Sequence, residues 1–487
     1  MKLKNLSLTL LLASSFAFGQ FSTPNTGVHW TLDDIATASP TTVTISGNEY
    51  TLHENLLVEL NDSLSLNENL VLKIAAGVEI EVKGYFRSDA GEITITAVDE
   101  ANPYEGFWFF DTAEGFFQNT LIQYGGGIRV VTPDFEMHNC EMSYNVSGSS
   151  TGAAISFSNG TPVIKNSTFK FNANPAISSG ANTSVSAWIE GNHIEGNNTT
   201  NNNRPQINMG PSGEADTIRI INNTVIGDRD LTMVGGISAS SLVGVTNKIL
   251  IRGNTVRDNR YGITSMGTSS GIIAENIIED NDTEGLPMNG GSGINLFSTQ
   301  LIYLTQNEIR RNLWGLTLQG TAQVNLGSDD DEDFNPGLNV FSENGNGGEV
   351  YALFNNTPNP VKALHNCWIE GQESTEEDVE GVIAHIIDDP ALGEVFFDPF
   401  ECGIPVMATN DFNQNLFNIY PNPASRSFFI DTKETGHLNI YDMSGKKVLS
   451  QKDLNGKTRI QINLPKGIYL VEFENGTERS TRKLIVN

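Results

Sequence analysis

Apolar and polar positions recur along most of the chain in one repeating frame. A marker residue, most often Asn, has an apolar residue three positions before it and another two positions after it. The segments Ile249–Asn259 and Ile302–Asn312 show this frame clearly. The aligned markers are Cys140, Ser167, Asn192, Asn223, Asn254, Asn276, Asn307, Asn339 and Cys367. Their spacings of 22 to 32 residues fit one solenoid coil per repeat.

Both apolar positions form columns over the nine repeats. The column before the marker is Met137, Ile164, Ile189, Ile220, Ile251, Ile273, Leu304, Pro336 and Leu364, in which only Pro336 is out of character. The column after the marker is Met142, Phe169, Ile194, Val225, Val256, Ile278, Ile309, Phe341 and Ile369. Such columns predict inward stacks on parallel strands, because independent hairpins would not keep both in step. We therefore predict an all-β fold, a right-handed parallel β-helix.

A third column lies five residues after the marker. Its members are Asn145, Asn172, Asn197, Asp228, Asn259, Asn281, Asn312 and Asn344. Asn tolerates left-handed backbone geometry, and stacked side-chain amides can form a hydrogen-bonded ladder. The abundance of Asn is thus explained by architecture, without a glycan or metal role.

Composition and charge narrow the function classes. The chain has 487 residues, 47 Gly, only 18% charged residues and a formal net charge of -29. The negative charge disfavours nucleic acid and anionic lipid as partners. Residues 1–19 show the basic start, apolar run and small-residue site of a signal peptide. No later stretch is apolar enough to span a bilayer, so we expect an exported protein without a transmembrane segment, and a monomer.

The repeat pattern from Thr120 to Trp368 resembles that of pectate-lyase-like parallel β-helix proteins. We place an N-terminal cap and opening coils at residues 20–119 and the repeats at residues 120–405. The resemblance implies a fold and not an activity, because that superfold includes lyases, hydrolases, adhesins and inert scaffolds.

The chain changes character after about residue 405. A polar linker at residues 406–414 precedes a module at residues 415–487, in which 11 Lys and Arg face 7 Asp and Glu. Alternating strands such as Gly467–Phe473 predict a small antiparallel β-sandwich. The sorting motif residues are Tyr420, Pro421, Asn422, Pro423, Gly467, Tyr469 and Lys483.

These motifs, in this order at the C-terminal end, resemble the type A sorting domain of the Bacteroidetes type IX secretion system. The resemblance implies that the secretion machinery is a partner and that the domain is removed outside the cell. The protein would then be released or attached to surface lipopolysaccharide. A carbohydrate-binding sandwich is the alternative interpretation of the module.

Candidate ligand-binding residues lie near the central repeats. Tyr261 and Trp314 each follow an Asn by two residues and could stack on sugar rings, although core packing explains them equally well. Arg260 and Arg311 lie beside them. A neighbouring column alternates in sign and predicts a structural ladder of ion pairs between rungs, with the members Lys170, Glu195, Ile226, Arg257, Glu279 and Arg310.

Two further sites follow from spacing. Oxygen ligands at alternate positions resemble the start of a Ca²⁺ loop, at Asp329, Asp331, Asp333 and Asn335. Phe334 and Val340 stand where an EF-hand needs Gly and Glu, so Ca²⁺ is a candidate and no cofactor is required. Of the three cysteines, Cys367 and Cys402 could form a disulfide in an oxidising compartment, or could remain free thiols.

These observations together indicate a secreted or cell-surface β-helix protein that contacts extracellular polysaccharide or another surface. A polysaccharide lyase or glycoside hydrolase acting in a β-helix groove is the first alternative, and a structural adhesin is the second. The sequence leaves catalysis open, because it shows no Ser/His/Asp arrangement, zinc spacing or phosphate loop.

Overall fold

The computed structural model describes residues 19–402, except 147, 149–151, 215, 286–289 and 347, and residues 417–486, except 421, 423, 443–445 and 476–478. The described residues form two compact units, divided between residues 404 and 405. The predicted signal peptide up to residue 18, the linker at 406–414 and two motif residues, Pro421 and Pro423, lie outside the described residues. No helix in the described part of the chain is long and apolar enough to cross a membrane.

The first unit is a parallel β-helix, which confirms the predicted fold class. One wall, face A, has fourteen strands, and each later strand follows one coil after its neighbour. They are Gln20–Ser22, Asn55–Val58, Glu79–Val82, Gly106–Phe109, Ile128–Val130, Ile155–Phe157, Ile177–Ser179, Ile207–Met209, Ile237–Ala239, Ile263–Gly267, Ser292–Ser298, Trp314–Gln319, Leu353–Asn356 and Ile383–Ala384.

Two further walls precede and follow the marker residue in each coil. Face B precedes it and comprises His29–Trp30, Ser63–Leu66, Asp134–His138, Val163–Lys165, Trp188–Glu190, Ile218–Ile221, Asn247–Arg252, Ser269–Ala274, Leu301–Thr305, Gln323–Gly327, Val361–Ala363 and Val395–Phe396. Face C follows it and comprises Glu49–Leu52, Leu70–Ile74, Glu141–Ser143, Thr168–Lys170, His193–Glu195, Thr224–Ile226, Thr255–Arg257, Ile277–Glu279, Glu308–Arg310 and Val340–Ser342. Two long strands run through both faces, Tyr85–Ala97 and Glu114–Gln123.

The predicted apolar columns are the core. Ile220, Ile251 and Ile273 pair in register on successive coils, and all three are fully buried. The residue between each inward position and the next points outward, since side chains alternate along a strand. The register therefore decides which residues can meet a ligand.

Two buried ladders of side-chain amides run along the coils. In the first, the backbone N–H and the side-chain Nδ2 of each Asn donate to Oδ1 of the next, as Asn223 does to Asn254 at 2.9 and 3.0 Å. The second ladder runs through the column five residues after the marker, as in Asn281 to Asn312 at 3.1 and 3.0 Å. Each ladder satisfies buried donors at a coil corner.

Two positions of the predicted marker and Asn columns need correction. Gln206 replaces Asp228 in the second ladder, where it accepts from Asn197 and donates to Asn259. In the last repeat the ladder residue is Asn366 and not Cys367, because Asn339 donates to Asn366 at 2.9 and 3.0 Å.

The shifted register in the last repeat moves the inward positions by one residue. Ala363 and Trp368 are buried there, whereas Leu364 and Ile369, the residues predicted to point inward, are only partly buried. Pro336 leaves its column because the strand Gln323–Gly327 takes that place on face B, ahead of an inserted acidic loop.

Both ends of the β-helix have additional elements. At the start, the helix Leu32–Ala38 buries Leu32 and Ile35, next to a hairpin of Val43–Ser46 and Glu49–Leu52. Near the other end is the short helix Glu376–Glu380. Cys367 and Cys402 are joined by a disulfide that links the last repeat to the segment after it, and Cys140 is a buried free thiol.

The second unit is an antiparallel sheet with its own core. Its five strands are Phe417–Tyr420, Ser427–Asp442, Lys447–Gln461, Gly467–Glu474 and Arg479–Val486. The core includes Phe428, Ile440 and Val471, all fully buried. Alternating burial along these strands follows from the alternating apolar residues in the sequence.

Candidate functional site

The outward positions of face A form a stripe of uncharged polar residues. On successive coils these residues are Ser156, Ser178, Asn208, Ser238, Thr264, Asn295 and Thr317. Each lies beside a buried Ile or Leu on its own strand, so the strand fixes its side chain outward. From Ser156 to Thr264 the stripe places hydroxyl and amide groups at one-coil intervals, about 4.8 Å apart, while Thr317 is buried with its hydroxyl bonded to Ser292.

A groove of about 590 Å³, here called groove A, lies along this stripe. Its floor includes Ser178, Asn208 and Thr264, and its lining also includes Arg204 and Leu242. Among the described residues of the lining, Arg204 is the one with a charged side chain. Groove A is therefore a neutral hydrogen-bonding surface with a single positive group.

Face A differs from the other faces in the ion pairing of its arginines. The β-helix unit has ten arginines, at 87, 129, 204, 219, 229, 252, 257, 260, 310 and 311. Eight of them form ion pairs with a carboxylate within the 4.0 Å limit. Within the described part of the chain, Arg129 and Arg204 form none. Arg129 lies on a face A strand, and Arg204 lies in the loop before the face A strand Ile207–Met209, in the lining of groove A.

Arg129 stands at the N-terminal end of the stripe. It pairs in register with Ser156, and its guanidinium carbon lies 4.3 Å from the ring centroid of Trp108. On the two coils before Arg129 the face becomes acidic, first at Glu105 and then at Glu79 and Glu81. Burial, together with the nearby Glu81 and Glu105, raises the pKa of Glu79 to about 7, although Arg129 opposes the shift. The part of face A suited to an anion thus runs from Arg129 towards Ser156.

Arg260 supports groove A from beneath and does not line it. Its side chain is 9% exposed, Nη1 donates to Asn203 Oδ1 at 2.7 Å, and Nη2 lies 3.6 Å from Glu284. Asn203 is the residue before Arg204 in the groove wall. The structure thus corrects the expectation that Arg260 contacts ligand, because Arg260 is buried behind that wall.

Tyr261 and Trp314 lie in different environments. Tyr261 is half-buried in the lining of groove A, packs closely over Gly235, and has its pKa raised to about 12 by burial. Trp314 is 6% exposed, with its ring 5.6 Å from Tyr351 and 5.0 Å from Phe354. The hypothesis of a sugar-stacking pair is therefore wrong for Trp314, whose faces are covered by other rings.

Arg311 lies at a coil corner away from groove A. Its Nε donates to Asp280 Oδ1 at 2.8 Å and its Nη2 donates to Glu279 Oε2 at 2.7 Å. These bonds raise the pKa of Arg311 above its ordinary value. A guanidinium held by two carboxylates has little charge to offer a ligand, so Arg311 stabilises the corner.

The predicted ladder of ion pairs is correct at one step only. Lys170 and Glu195 pair between coils at 3.8 Å. Arg257 pairs instead with its neighbour Asp258 at 2.7 Å, and Arg310 reaches Glu370 at 2.7 Å. The long arginine side chains reach acids at corners and on later coils, which a column read from sequence does not include.

A lysine pairs with two carboxylates of the acidic loop. Lys362 Nζ lies 2.6 Å from Asp330 and 2.8 Å from Asp333, and this bond lowers the pKa of Asp333.

The remaining predicted Ca²⁺ ligands point to different partners. Asp329 bonds His365 at 2.9 Å, Asn335 is buried against backbone carbonyls, and Asp331 is exposed. In the described residues, no group of three or more His, Cys, Asp or Glu is placed to hold a metal ion. Ca²⁺ binding here stays an untested prediction.

Two of the described sorting motif residues, Asn422 and Tyr469, form hydrogen bonds within the second unit. Asn422 ties the start of the module to its last strand, since Nδ2 donates to the Lys483 carbonyl at 2.7 Å and Oδ1 accepts from the Ile485 N–H at 2.8 Å. Tyr469 donates to the Pro465 carbonyl at 2.8 Å, and Gly467 begins its strand.

Sequence reasoning missed the polar stripe and its two arginines. The signal was present as short segments in which Ser, Asn or Thr follows an apolar residue, such as Ile155–Phe157, Ile207–Met209 and Leu316–Leu318. Arg204 stands in an Asn-rich loop without periodicity, so its place in the groove wall depends on the fold.

The match to a family model falls within the second unit. Residues 418–487 match the family described as secretion system C-terminal sorting domain. No curated protein matches the sequence. Among solved structures, a double mutant of the periplasmic alginate epimerase AlgG is similar at 12% identity and a TM-score of 0.47, over 77% of this chain and 82% of that one. This chain therefore joins a parallel β-helix to a secretion system C-terminal sorting domain.

Proposed function

We propose that the protein binds an acidic extracellular polysaccharide along groove A, with Arg129 and Arg204 holding the acid groups. The observation behind this proposal is that, among the arginines of the described β-helix, these two form no ion pair with a carboxylate. Arg204 lines groove A, and Arg129 pairs in register with Ser156 of that lining. In a chain with a net charge of -29, internal carboxylates neutralise the other arginines. An acid group of an external ligand would supply the anionic partner for Arg129 and for Arg204.

The stripe between the arginines suits a sugar polymer. Hydroxyls and amides at regular intervals can exchange hydrogen bonds with sugar hydroxyls, and Tyr261 adds an aromatic edge. Glycoside hydrolysis requires two carboxyl groups beside the bond that is cut. The described lining of groove A has no carboxylate, so these observations favour binding over hydrolysis.

Arg204→Ala and Arg129→Ala are each expected to lower the affinity for a polyuronate about 10- to 100-fold. A charge-assisted hydrogen bond contributes about 1.5–3 kcal/mol, which corresponds to that range. Calorimetric titration of the purified full chain with polygalacturonate would measure the loss. Added salt should weaken binding by the unaltered protein, because exposed charges are screened.

Arg252→Ala is the matched control, since Arg252 is a similarly exposed arginine on face B that pairs with Glu275 at 2.6 Å. Its affinity should equal that of the unaltered protein. Unchanged binding by both groove variants, or an equal loss in the control, would exclude groove A as the site.

The sorting domain implies export by the type IX secretion system to the exterior or the cell surface. Deleting residues 415–487 is expected to leave the protein in the periplasm, because the remaining β-helix unit keeps the predicted signal peptide and has its own core. Cell fractionation with an antibody against the β-helix would locate it. Normal surface display of the shortened chain would show that this domain is not the export signal.

A further inference from the structure

A second groove, here called groove B, lies on face B near the start of the β-helix. It has a volume of about 690 Å³ and is lined by residues from five successive coils, of which Tyr85, Glu114 and Asp134 pair in register in one outward column. Ser63 precedes them on the coil before and bonds His29 Nδ1 at 2.6 Å. Groove B shares no lining residue with groove A.

Tyr85 supplies an open aromatic surface in this column. It is 48% exposed, and no ring contact involves it among the described residues. The neighbouring Phe116 is covered, because the Arg87 guanidinium lies 4.2 Å from its centroid. An exposed tyrosine ring next to hydrogen-bonding groups is suited to stack on a sugar ring.

The charge of groove B selects against acidic sugars. Glu114 and Asp134 are exposed neighbours on adjacent coils, about 4.8 Å apart, and form no ion pair within the described residues. Arg87 is neutralised by Asp89, and Glu136 pairs with His138 at 2.9 Å. The two free carboxylates can accept hydrogen bonds from sugar hydroxyls and would repel a uronate or sulfate.

We propose that groove B is a second glycan site, which binds an uncharged polysaccharide with a sugar ring on Tyr85 and its hydroxyls bonded to Glu114 and Asp134. The two grooves then differ in specificity, since groove A takes acidic chains and groove B takes neutral ones. One exported molecule could thus link two kinds of polysaccharide.

Titration of the purified full chain with a panel of neutral oligosaccharides, among them cello-, manno- and xylo-oligosaccharides, would test this site. At least one should bind with an affinity that changes less than twofold between low and high salt. Tyr85→Ala should lower that affinity at least tenfold. Tyr144→Ala is the matched control, because Tyr144 is also 48% exposed but lies outside both grooves.

A charge-neutral variant tests the selectivity. The double variant Glu114→Gln with Asp134→Asn keeps acceptor oxygens, so its affinity for the neutral oligosaccharide should stay within about threefold. The same double variant, made in a protein that also carries Arg129→Ala and Arg204→Ala, should bind galacturonate oligomers measurably at groove B. No binding by any neutral oligosaccharide, or equal losses for Tyr85→Ala and Tyr144→Ala, would overturn the proposal. Stronger, salt-sensitive binding of an amine-bearing glycan or of polylysine would also overturn it and assign the groove to cations. Failure of groove A would leave these results unchanged.

Discussion

The Ile251→Asp variant is expected not to yield a soluble, cooperatively folded β-helix. Ile251 is fully buried and stacks between Ile220 and Ile273 on the adjacent coils. Asp at this position would place an unpaired charge in the interior, which costs several kcal/mol, and the total stability of a typical domain is only about 5–15 kcal/mol. Soluble yield and circular dichroism of the purified unit would measure the effect.

The adjacent residue is the control. Arg252 points outward from the same strand, with a side chain 52% exposed and an ion pair to Glu275. Arg252→Asp removes a surface ion pair, which contributes about 0–1 kcal/mol, and should fold normally. If the two variants lose the same soluble yield, the inward and outward assignments of this strand are wrong.

The core could be predicted from the sequence because each coil repeats the environment of the one before. Ile220, Ile251 and Ile273 meet the same neighbours, so the same residue type fits at each. The two Asn columns are visible for the same reason. Equivalent positions in successive coils have equivalent neighbours, so their residue types recur along the sequence. The core of a single globular domain produces no such recurrence.

The last repeat was misread because two registers satisfied the same pattern. Leu364 and Ile369 flank Cys367 at the expected distances, and Ala363 and Trp368 flank Asn366 equally well. The amide ladder decides between them, since Asn366 Oδ1 accepts the two bonds from Asn339 and Cys367, a disulfide cysteine, has no side-chain oxygen to accept them.

The functional surface was less visible because it depends on loops and on pairing over distance. The sequence drew attention to Arg260 and Arg311, which the fold places against carboxylates. It gave no sign that Arg204 would have no carboxylate partner among the described residues, because that requires knowing every neighbour. Charge in a sequence shows which groups exist, and only the fold shows which of them stay available.

Asn223→Ala is expected to destabilise the central coils by about 1.5–4.5 kcal/mol. Asn223 Oδ1 accepts from the Asn192 backbone N–H and from Asn192 Nδ2, at 3.0 and 2.9 Å, while its own Nδ2 donates to the Ile189 carbonyl at 3.0 Å. Alanine leaves the Asn192 backbone N–H without a partner and removes the bond to the Ile189 carbonyl, while Asn192 Nδ2 keeps its bond to the Ile164 carbonyl. An unsatisfied buried group costs about 1–3 kcal/mol, and a lost hydrogen bond costs about 0.5–1.5 kcal/mol. Denaturant unfolding and hydrogen exchange at the Asn192 amide would report the loss.

Asn222→Gly is the control that separates the loss of ladder hydrogen bonds in Asn223→Ala from the effect of replacing any residue at this coil corner. Asn222 is exposed and has a φ of 54°, a left-handed conformation that Gly adopts readily, and its side chain is not part of the ladder. The free energy of unfolding of this control should stay within about 1 kcal/mol of the unaltered protein. A similar small change in Asn223→Ala would mean that water can replace the missing amide. The ladder would then fix the geometry of the corner without stabilising the fold. In that case the Asn192 backbone amide would exchange its hydrogen at the same rate in the variant as in the unaltered protein.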